Sequence, residues 1–271
     1  MLKVSEVLSY VTETAPLRWQ ESYDNSGLLI GDPNALVDKV LVSLDITEEV
    51  IDEAIDNSIR LIISHHPLIF KGLKNVLYDD AVGRMVMKAI KNDISIAAMH
   101  TNLDNSFYGV NRVLADQLGL KDLRILKHDI SKVQESCGLE LQVGSGMIGS
   151  LENEMTERDF LMLVKEKLNV VAMRHSEFLG KPIKNVALCG GSGSFLINDA
   201  KRCGADVYLT ADVKYHDFFD AGDDILLVDA GHFETEQFTK QLIADIILKK
   251  NPKFAVQISN VKTNSVHYFV G

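Results

Sequence analysis

Apolar and polar positions alternate in blocks along the chain. In the first half, the apolar runs KVLVSLDI, RLIISHH and SIAAMH are separated by the helical stretches TEEVIDEAIDNS and DDAVGRMVMKAIKND. The second half continues in the same way with NVALCGG, SFLINDAKRCGA, DVYLTAD and DDILLVDAGH. Short, continuous Val, Ile and Leu runs separated by helices are typical of parallel strands that are buried on both faces. The pattern therefore predicts an α/β fold.

The two halves also align with each other. Placing Val40 on Val186 matches a strand, a helix and a second strand without a gap. A slightly different offset places His100 opposite His232, and an acidic residue follows each histidine by four positions. Hydrophobic periodicity alone would align any two strand-helix-strand units. The polar pair repeated at the same strand end nevertheless favours an internal duplication.

This duplication predicts two similar three-layer α/β halves that face each other across a cleft. We expect the first half to comprise residues 1–126 and the second half residues 127–271, with the C-terminal segment packing back on the first half. The mixed, glycine-containing segment 121–152 is expected to be the hinge between them.

Polar residues cluster where predicted strands end, which is where ligands bind in doubly wound sheets. The three clusters are His65 with His66, His100 with Asp104, and His232 with Glu236. Neighbouring residues on a strand point to opposite faces, so the adjacent His65 and His66 favour two ions rather than one. If a helix has begun by His232, Glu236 lies one turn further along the same face.

Each cluster alone also has an ordinary explanation. The histidine pair can be a partly exposed loop, Asp104 can cap a helix, and Glu236 can be a capping residue beside a surface histidine. With His100 set aside as the least certain member, the clusters supply three imidazoles and two carboxylates. This set suits zinc, manganese, iron or cobalt and is too rich in nitrogen for magnesium or calcium. Five protein ligands leave positions open for water or substrate, as a catalytic centre requires. We therefore expect two divalent transition-metal ions per chain with a bridging hydroxide.

Two further side chains are candidates for proton transfer. His100 can be a ligand, an orienting residue or a proton carrier, and the sequence leaves these roles open. Asp212 follows the predicted strand DVYLTA, where it can assist proton transfer or form a salt link with Lys214.

The glycine-rich turn in VALCGGSGSF has two interpretations. The amides of Gly190, Gly191 and Gly193 can cradle a phosphate at the start of the following helix. A tight turn between strand and helix explains the same glycines equally well.

Composition excludes several classes of binding partner and cellular location. A net charge of −10 and the absence of a basic run argue against a nucleic-acid partner, because such binding depends on clustered Lys and Arg. No apolar run approaches the roughly 18 residues of a membrane span, and the acidic, amphipathic N-terminus does not resemble a signal peptide. The three cysteines (Cys137, Cys189 and Cys203) form no CxxC pair and favour reduced, buried thiols. We predict a cytoplasmic protein without membrane association.

Seven motifs resemble, in order and over nearly the whole chain, the Nif-three-like family, also known as GTP cyclohydrolase I type two or dinuclear metal centre proteins. They are APLRWQESYDNSGLLIGDP, SHHPLIF, HTNLDN, GMIGSL, CGGSGSF, GADVYLTADVKYHD and GHFETE. The resemblance implies two similar α/β halves, a dinuclear site between them and a homohexameric ring with the sites facing an internal cavity. Carried over by motif, it implies a metal-ligand set of His65, His66, Asp104, His232 and Glu236, with Glu236 as the bridge.

Two functional hypotheses follow. The first is a metal-dependent hydrolase that uses the bridging hydroxide on a nucleotide or related small molecule, with GTP cyclohydrolase activity suggested by the family name. The alternative is a non-enzymatic metal-binding ring that acts through protein partners. An open coordination position favours the hydrolase, whereas a sealed site or a large exposed apolar patch away from the metals favours the alternative.

Overall fold

The computed structural model describes residues 1–132 and 143–269. Cys137 and the middle of the expected hinge, 121–152, lie outside the described residues. The chain forms two compact units. Unit 1 comprises Met1–Leu103 and Thr239–Ser265, and unit 2 comprises Asp104–Phe238 and Val266–Gly271.

Short strands and helices alternate through the described part of the chain. The strands are β1 (Leu2–Lys3), β2 (Gly27–Ile30), β3 (Leu36–Val37), β4 (Lys39–Ser43), β5 (Leu61–Ser64), β6 (Ser95–Ala98), β7 (Lys121–His128), β8 (Gly144–Met155), β9 (Arg174–His175), β10 (Ile183–Ser192), β11 (Val207–Ala211), β12 (Leu226–Asp229) and β13 (Ala255–Ile258). The α-helices are α1 (Val4–Thr12), α2 (Glu48–Asp56), α3 (Ala81–Lys91), α4 (Thr101–Asp104), α5 (Val110–Gln117), α6 (Glu157–Leu168), α7 (Ile197–Arg202), α8 (His232–Glu236) and α9 (Thr239–Lys250).

Unit 1 contains a five-stranded sheet in the order β13-β4-β5-β6-β2, in which only β2 is antiparallel to its neighbour. Leu41 packs in a core with α2 and α3, while the alternating Val40 and Val42 are equally buried on the other face. Helix α9 packs on β4 and β13. Both faces of β4 are therefore covered, which explains why its sequence is apolar without alternation.

Unit 2 contains a six-stranded sheet in the order β7-β8-β10-β11-β12-β9, with β10, β11 and β12 parallel. Val186 and Leu188 pack in a core with α5 and α6. The alternating Ala187 and Cys189 pack on the other face with α7. Unit 2 is thus a sheet between two helical layers, as the continuous apolar run of β10 predicts.

The predicted α/β class is confirmed. Each unit has three successive parallel strands, and an antiparallel edge strand pairs with the third of them, β2 with β6 and β9 with β12. The two units share this strand order, and the internal duplication stays a prediction. The segment expected to be a hinge instead supplies β7 and β8, which pair antiparallel at one edge of the second sheet. Its mixed pattern reflects a partly exposed edge strand rather than a linker.

Within residues 1–132 and 143–269, none of the helices combines the length and the apolar character that a membrane span requires. The two described cysteines are free thiols, with Cys189 buried and Cys203 partly buried.

Glu53 on α2 anchors the chain after β13. Its carboxylate accepts hydrogen bonds from the Ser259 hydroxyl at 2.5 Å, the Asn260 amide at 3.0 Å and the Gln257 side chain at 3.2 Å. Burial raises the pKa of Glu53, but the bonds from Ser259 and Asn260 outweigh it and lower the pKa below its ordinary value. The ionised carboxylate therefore stabilises the docked C-terminal strand.

Replacing Glu53 with Gln should lower the free energy of unfolding by about 1 kcal/mol at neutral pH, because the charge-assisted bonds are lost. Since the folded-state pKa is lowered, this stabilisation is complete above the pKa of the unfolded chain and disappears as the pH falls through the folded-state value. Urea denaturation at about pH 7 and about pH 3 measures the difference between Glu53→Gln and wild type. Asp56→Asn, on an exposed position of the same helix, should change stability little at either pH. A Glu53→Gln effect that is equal at both pH values would contradict the assignment.

Candidate metal centre

Three histidines meet at one edge of the unit 1 sheet. His65 and His66 directly follow β5, and His100 lies two residues after β6. Because β5 and β6 are adjacent and parallel, their carboxyl ends lie at the same edge. The ring centroids are 4.8 to 5.4 Å apart, and the candidate ligand atoms of the three side chains lie within 4.8 Å of one another. We call these residues the histidine cluster.

Strand alternation predicted that the adjacent His65 and His66 point to opposite faces. This prediction is wrong. Strand β5 ends at Ser64, so His65 and His66 lie beyond the regular pleat, and their ring centroids are 4.8 Å apart. His65 is fully buried, and its Nδ1 lies 2.8 Å from the carbonyl oxygen of Met99. A carbonyl oxygen only accepts, so Nδ1 carries the proton and Nε2 is the basic ring nitrogen.

His66 is oriented by a carboxylate from the neighbouring strand. Its Nδ1 lies 2.7 Å from Oδ1 of Asp45, which follows β4 by two residues. The Thr263 hydroxyl donates to the other carboxylate oxygen at 2.6 Å. Burial raises the pKa of Asp45, but its bonds to His66 and Thr263 outweigh this and lower it. Asp45 is therefore ionised and holds the His66 ring with Nε2 as the candidate ligand atom.

His100 has a carboxylate partner of its own. Its Nδ1 lies 2.8 Å from Asp24, whose side chain is completely buried. Asp24 also accepts hydrogen bonds from the Thr101 amide at 3.0 Å and from the Ser26 hydroxyl at 2.8 Å. Burial raises the pKa of Asp24, yet hydrogen bonds from His100 and Thr101 outweigh it and hold the pKa well below its usual range. A fixed anion thus orients the His100 ring.

In unit 2, the predicted i,i+4 pair lies in one short helix. Helix α8 begins at His232, and His232 Nε2 lies 3.0 Å from a carboxylate oxygen of Glu236. Nδ1 of the same ring lies 2.7 Å from Asp212, at the carboxyl end of β11. Burial lowers the pKa of His232, but the two carboxylates outweigh this and raise it to about 11. The predicted turn geometry is confirmed, and Asp212 contacts His232 rather than standing apart.

The glycine-rich turn packs against these ligand candidates. A Cβ atom on Gly191, whose φ is +63°, would lie 2.2 Å from Glu236 Oε1 and 3.2 Å from the His232 ring. The Gly190 amide donates to Asn111 at 2.9 Å, and the Gly191 amide donates to Thr235 at 3.0 Å. Two of the three amides considered for phosphate binding are therefore occupied within the protein. The turn makes room for the α8 side chains.

Asp104 ends the four-residue helix α4, which starts directly after His100. Its carbonyl accepts a hydrogen bond from Asn111 at 3.0 Å, and Asn111 in turn accepts from the Gly190 amide. Burial raises the pKa of the Cys189 thiol, and the charges of Asp104 and Glu236 raise it further. Both predicted carboxylate ligands of unit 2 thus lie near the same buried thiol.

The donor chemistry fits divalent transition-metal ions. Each of the four imidazoles has Nδ1 engaged by an oxygen acceptor, which is the usual arrangement around histidine metal ligands. Imidazole nitrogens with carboxylate oxygens suit zinc, manganese, iron or cobalt better than magnesium. In unit 1, the three residues of the histidine cluster therefore lie in an arrangement that can hold such an ion.

Residues 2–265 match the Duf34/NIF3 (NGG1p interacting factor 3) family. The chain belongs to this family. The resemblance carried by the seven sequence motifs is thereby confirmed.

Relatives of this NIF3 chain cover nearly all of it. A Campylobacter jejuni protein named GTP cyclohydrolase 1 type 2 homolog is 37% identical over 273 residues, which is 99% of this chain and 100% of the relative. A Clostridium perfringens protein of the same name is 36% identical over 238 residues, 87% of each chain. The crystal structure of a Bacillus cereus protein related to NIF3 is similar with a TM-score of 0.90 and 28% identity, covering 99% of both chains.

Sequence reasoning missed the acidic partners of the NIF3 histidines. Asp45 could have been found, because it follows a predicted strand in the same way as His65. Asp24 lies in an irregular segment before β2, and only its position inside the first family motif marks it. Thr263 lies far along the chain from Asp45, and no local pattern connects the two.

Replacing Asp45 with Ala should free the His66 ring to change tautomer and orientation. Loss of such an orienting partner typically weakens metal binding by about 10–100-fold. Competition with a chelator measures zinc affinity, and nitrogen NMR of His66 reports the tautomer. Asp38→Ala, an exposed aspartate at the amino end of β4, is the matched control. Unchanged zinc affinity in Asp45→Ala would contradict this role.

Replacing Gly191 with Ala should displace the Glu236 carboxylate, because the new Cβ overlaps it. Gly204 has a similar φ of +73° with nothing within 4 Å of an added Cβ, so Gly204→Ala carries the same backbone strain alone. We expect the free energy of unfolding to fall by about 1 kcal/mol in both variants. Only Gly191→Ala should also lose bound metal. Thermal unfolding and elemental analysis distinguish the two effects. Equal metal content in the two variants would show that Glu236 does not need this space.

Proposed function

We propose that the protein binds two divalent transition-metal ions per chain and is a metal-dependent hydrolase of a nucleotide or related small molecule. The observation that carries the proposal is the oxygen acceptor on Nδ1 of every candidate imidazole. Such acceptors orient Nε2 before an ion arrives, which a chance group of surface histidines does not require.

The proposed ligands are the five residues predicted from the sequence. His65 and His66 of the histidine cluster supply two nitrogens, and Asp104, His232 and Glu236 supply one nitrogen and two carboxylates. Glu236 is the proposed bridge, as the family resemblance implies. When bound, the two ions would supply Lewis-acid polarisation and an activated water at neutral pH.

The remaining residues have supporting roles. His100, oriented by the buried Asp24, is the proposed proton carrier, because its basic Nε2 belongs to the histidine cluster. Asp212 orients His232 and is itself held by Ser192, which donates to it. We assign Asp212 the role of positioning the His232 ring. The hydrogen bond between the two side chains also lowers the pKa of the Asp212 carboxyl.

A nucleotide is the proposed substrate class because relatives are named GTP cyclohydrolase 1 type 2 homologs. The homohexameric ring implied by the family resemblance belongs to the same proposal, and light scattering of the purified protein tests it. The alternative, a metal-binding ring without activity, becomes the better explanation if a metal-loaded hexamer hydrolyses nothing.

Purified wild-type protein should carry close to two transition-metal ions per chain. Glu236→Ala should lose most of them, because this carboxylate would help to hold both ions. Elemental analysis after dialysis against a weak chelator measures the content. Glu166→Ala, at an exposed position of α6, is the control and should keep wild-type metal. Equal metal content in wild type and Glu236→Ala would refute the dinuclear proposal.

Activity is tested on the same samples with GTP, other nucleotides, phosphodiesters and cyclic amides in the presence of manganese or zinc. Turnover should require metal and should fall in His100→Ala while the metal content stays near wild type. Inactivity towards the whole panel with both metals bound would refute the hydrolase and leave the metal site in place.

A further inference from the structure

An exposed aromatic side chain lies beside the histidine cluster. The ring of Phe70 packs edge-on against His100 with the centroids 5.6 Å apart. Half of the Phe70 side chain nevertheless remains accessible to solvent. Its position next to the candidate metal ligands makes this aromatic surface available to a ligand bound there.

The loop that carries Phe70 is anchored at both ends. The Asn25 side chain donates to the carbonyl of Ile69 at 2.6 Å, directly before Phe70. At the far end, Arg84 donates to the carbonyl of Tyr78 at 3.2 Å. Gly83 lies so close to the loop that an added Cβ would be 2.2 Å from the carbonyl oxygen of Leu77. These contacts hold the backbone of the loop in place on both sides of Phe70.

The same loop is locally cationic in an acidic protein. The chain has 38 Asp and Glu residues, yet residues 57–78 contain none of them. Lys71 follows Phe70 directly, Lys74 follows it by four residues, and both side chains are exposed. The first acidic residues after Phe70 are Asp79 and Asp80, so the part of the loop next to Phe70 carries only positive charge and attracts an anionic ligand.

We infer that Phe70, Lys71 and Lys74 form the substrate-recognition edge of the histidine cluster. Phe70 stacks on a planar heteroaromatic ring, and the two lysines hold a phosphate or similar anionic group of the same molecule. This inference rests on the proposed function, and it assigns to named residues a specificity that the metal ligands cannot supply. The substrate class is therefore a ring bearing an anionic group rather than a neutral amide.

A second copy of the chain is the rival occupant of this loop. Leu73, Val76, Leu77 and Tyr78 are also exposed, and a protein interface would bury them. The contact between Phe70 and His100 favours the substrate, because it places the aromatic surface at the candidate chemistry. Light scattering of each variant tests the rival directly.

Binding to metal-loaded, full-length protein is measured by calorimetry with four probes: GMP, guanosine, ribose 5-phosphate and inorganic phosphate. Phe70→Ala should weaken GMP and guanosine about tenfold and leave ribose 5-phosphate unchanged. Phe70→Leu, which stays apolar but cannot stack, should behave in the same way as Phe70→Ala. Tyr108→Ala removes another half-exposed aromatic ring and should have no effect.

The double variant Lys71→Ala/Lys74→Ala should weaken GMP and ribose 5-phosphate but not guanosine, and the loss should shrink as the salt concentration rises. The exposed pair Lys121→Ala/Lys253→Ala controls for net charge. Unchanged GMP affinity in both the Phe70 and lysine variants overturns the inference, as does failure of metal-loaded wild type to bind any probe. A change of oligomeric state in Phe70→Ala assigns the loop to a protein interface instead. If wild type carries no metal, elemental analysis identifies failure of the proposed function itself.

Discussion

The candidate site depends on one constraint: an oxygen atom holds the Nδ1 of each histidine. An imidazole otherwise rotates about two side-chain torsions and exchanges its proton between two nitrogens. The Met99 carbonyl and the carboxylates of Asp24, Asp45 and Asp212 remove this freedom by accepting a hydrogen bond from Nδ1. The basic nitrogen is then oriented by the fold, and an arriving ion does not have to order the rings itself.

This constraint links the site to sheet order. Asp45 follows β4 and orients a histidine that follows β5, its parallel neighbour. Asp212 follows β11 and orients a histidine that follows β12, again its parallel neighbour. In both units an acid at the end of one strand fixes an imidazole at the end of the next. Side chains that are far apart in sequence meet because parallel strands bring their carboxyl ends to one edge.

The α/β class and the strand ends could be predicted because both depend on local patterns. Buried parallel strands are continuous apolar runs, and polar residues directly after them are visible without any tertiary information. The directions of the His65 and His66 side chains could not be derived from the alternation of side chains along a strand, because both residues lie just beyond the last strand residue, Ser64. Strand β7 was missed because a partly exposed edge strand has a weak pattern.

The ligand partners were harder to predict than the ligands. Histidines are rare enough to be noticed as a group, whereas aspartates are common and mostly solvated. Whether an aspartate orients a ring depends on which strand lies beside it, and strand order is a property of the whole sheet. Asp24 illustrates this limit, because its contacts with His100 cross 76 residues of sequence.

The hydrogen bond from Thr263 to Asp45 has a consequence for the order of events in folding. Thr263 and Asp45 are separated by 218 residues, so their contact is of very high sequence separation. Contacts of this kind require closure of a long loop and form slowly compared with local turns. The Asp45 carboxylate, which orients His66, therefore receives the hydrogen bond from Thr263 only after the C-terminal segment of unit 1 has folded onto the rest of that unit. A metal ion bound through His66 would therefore meet a fully oriented ring only in the finished fold.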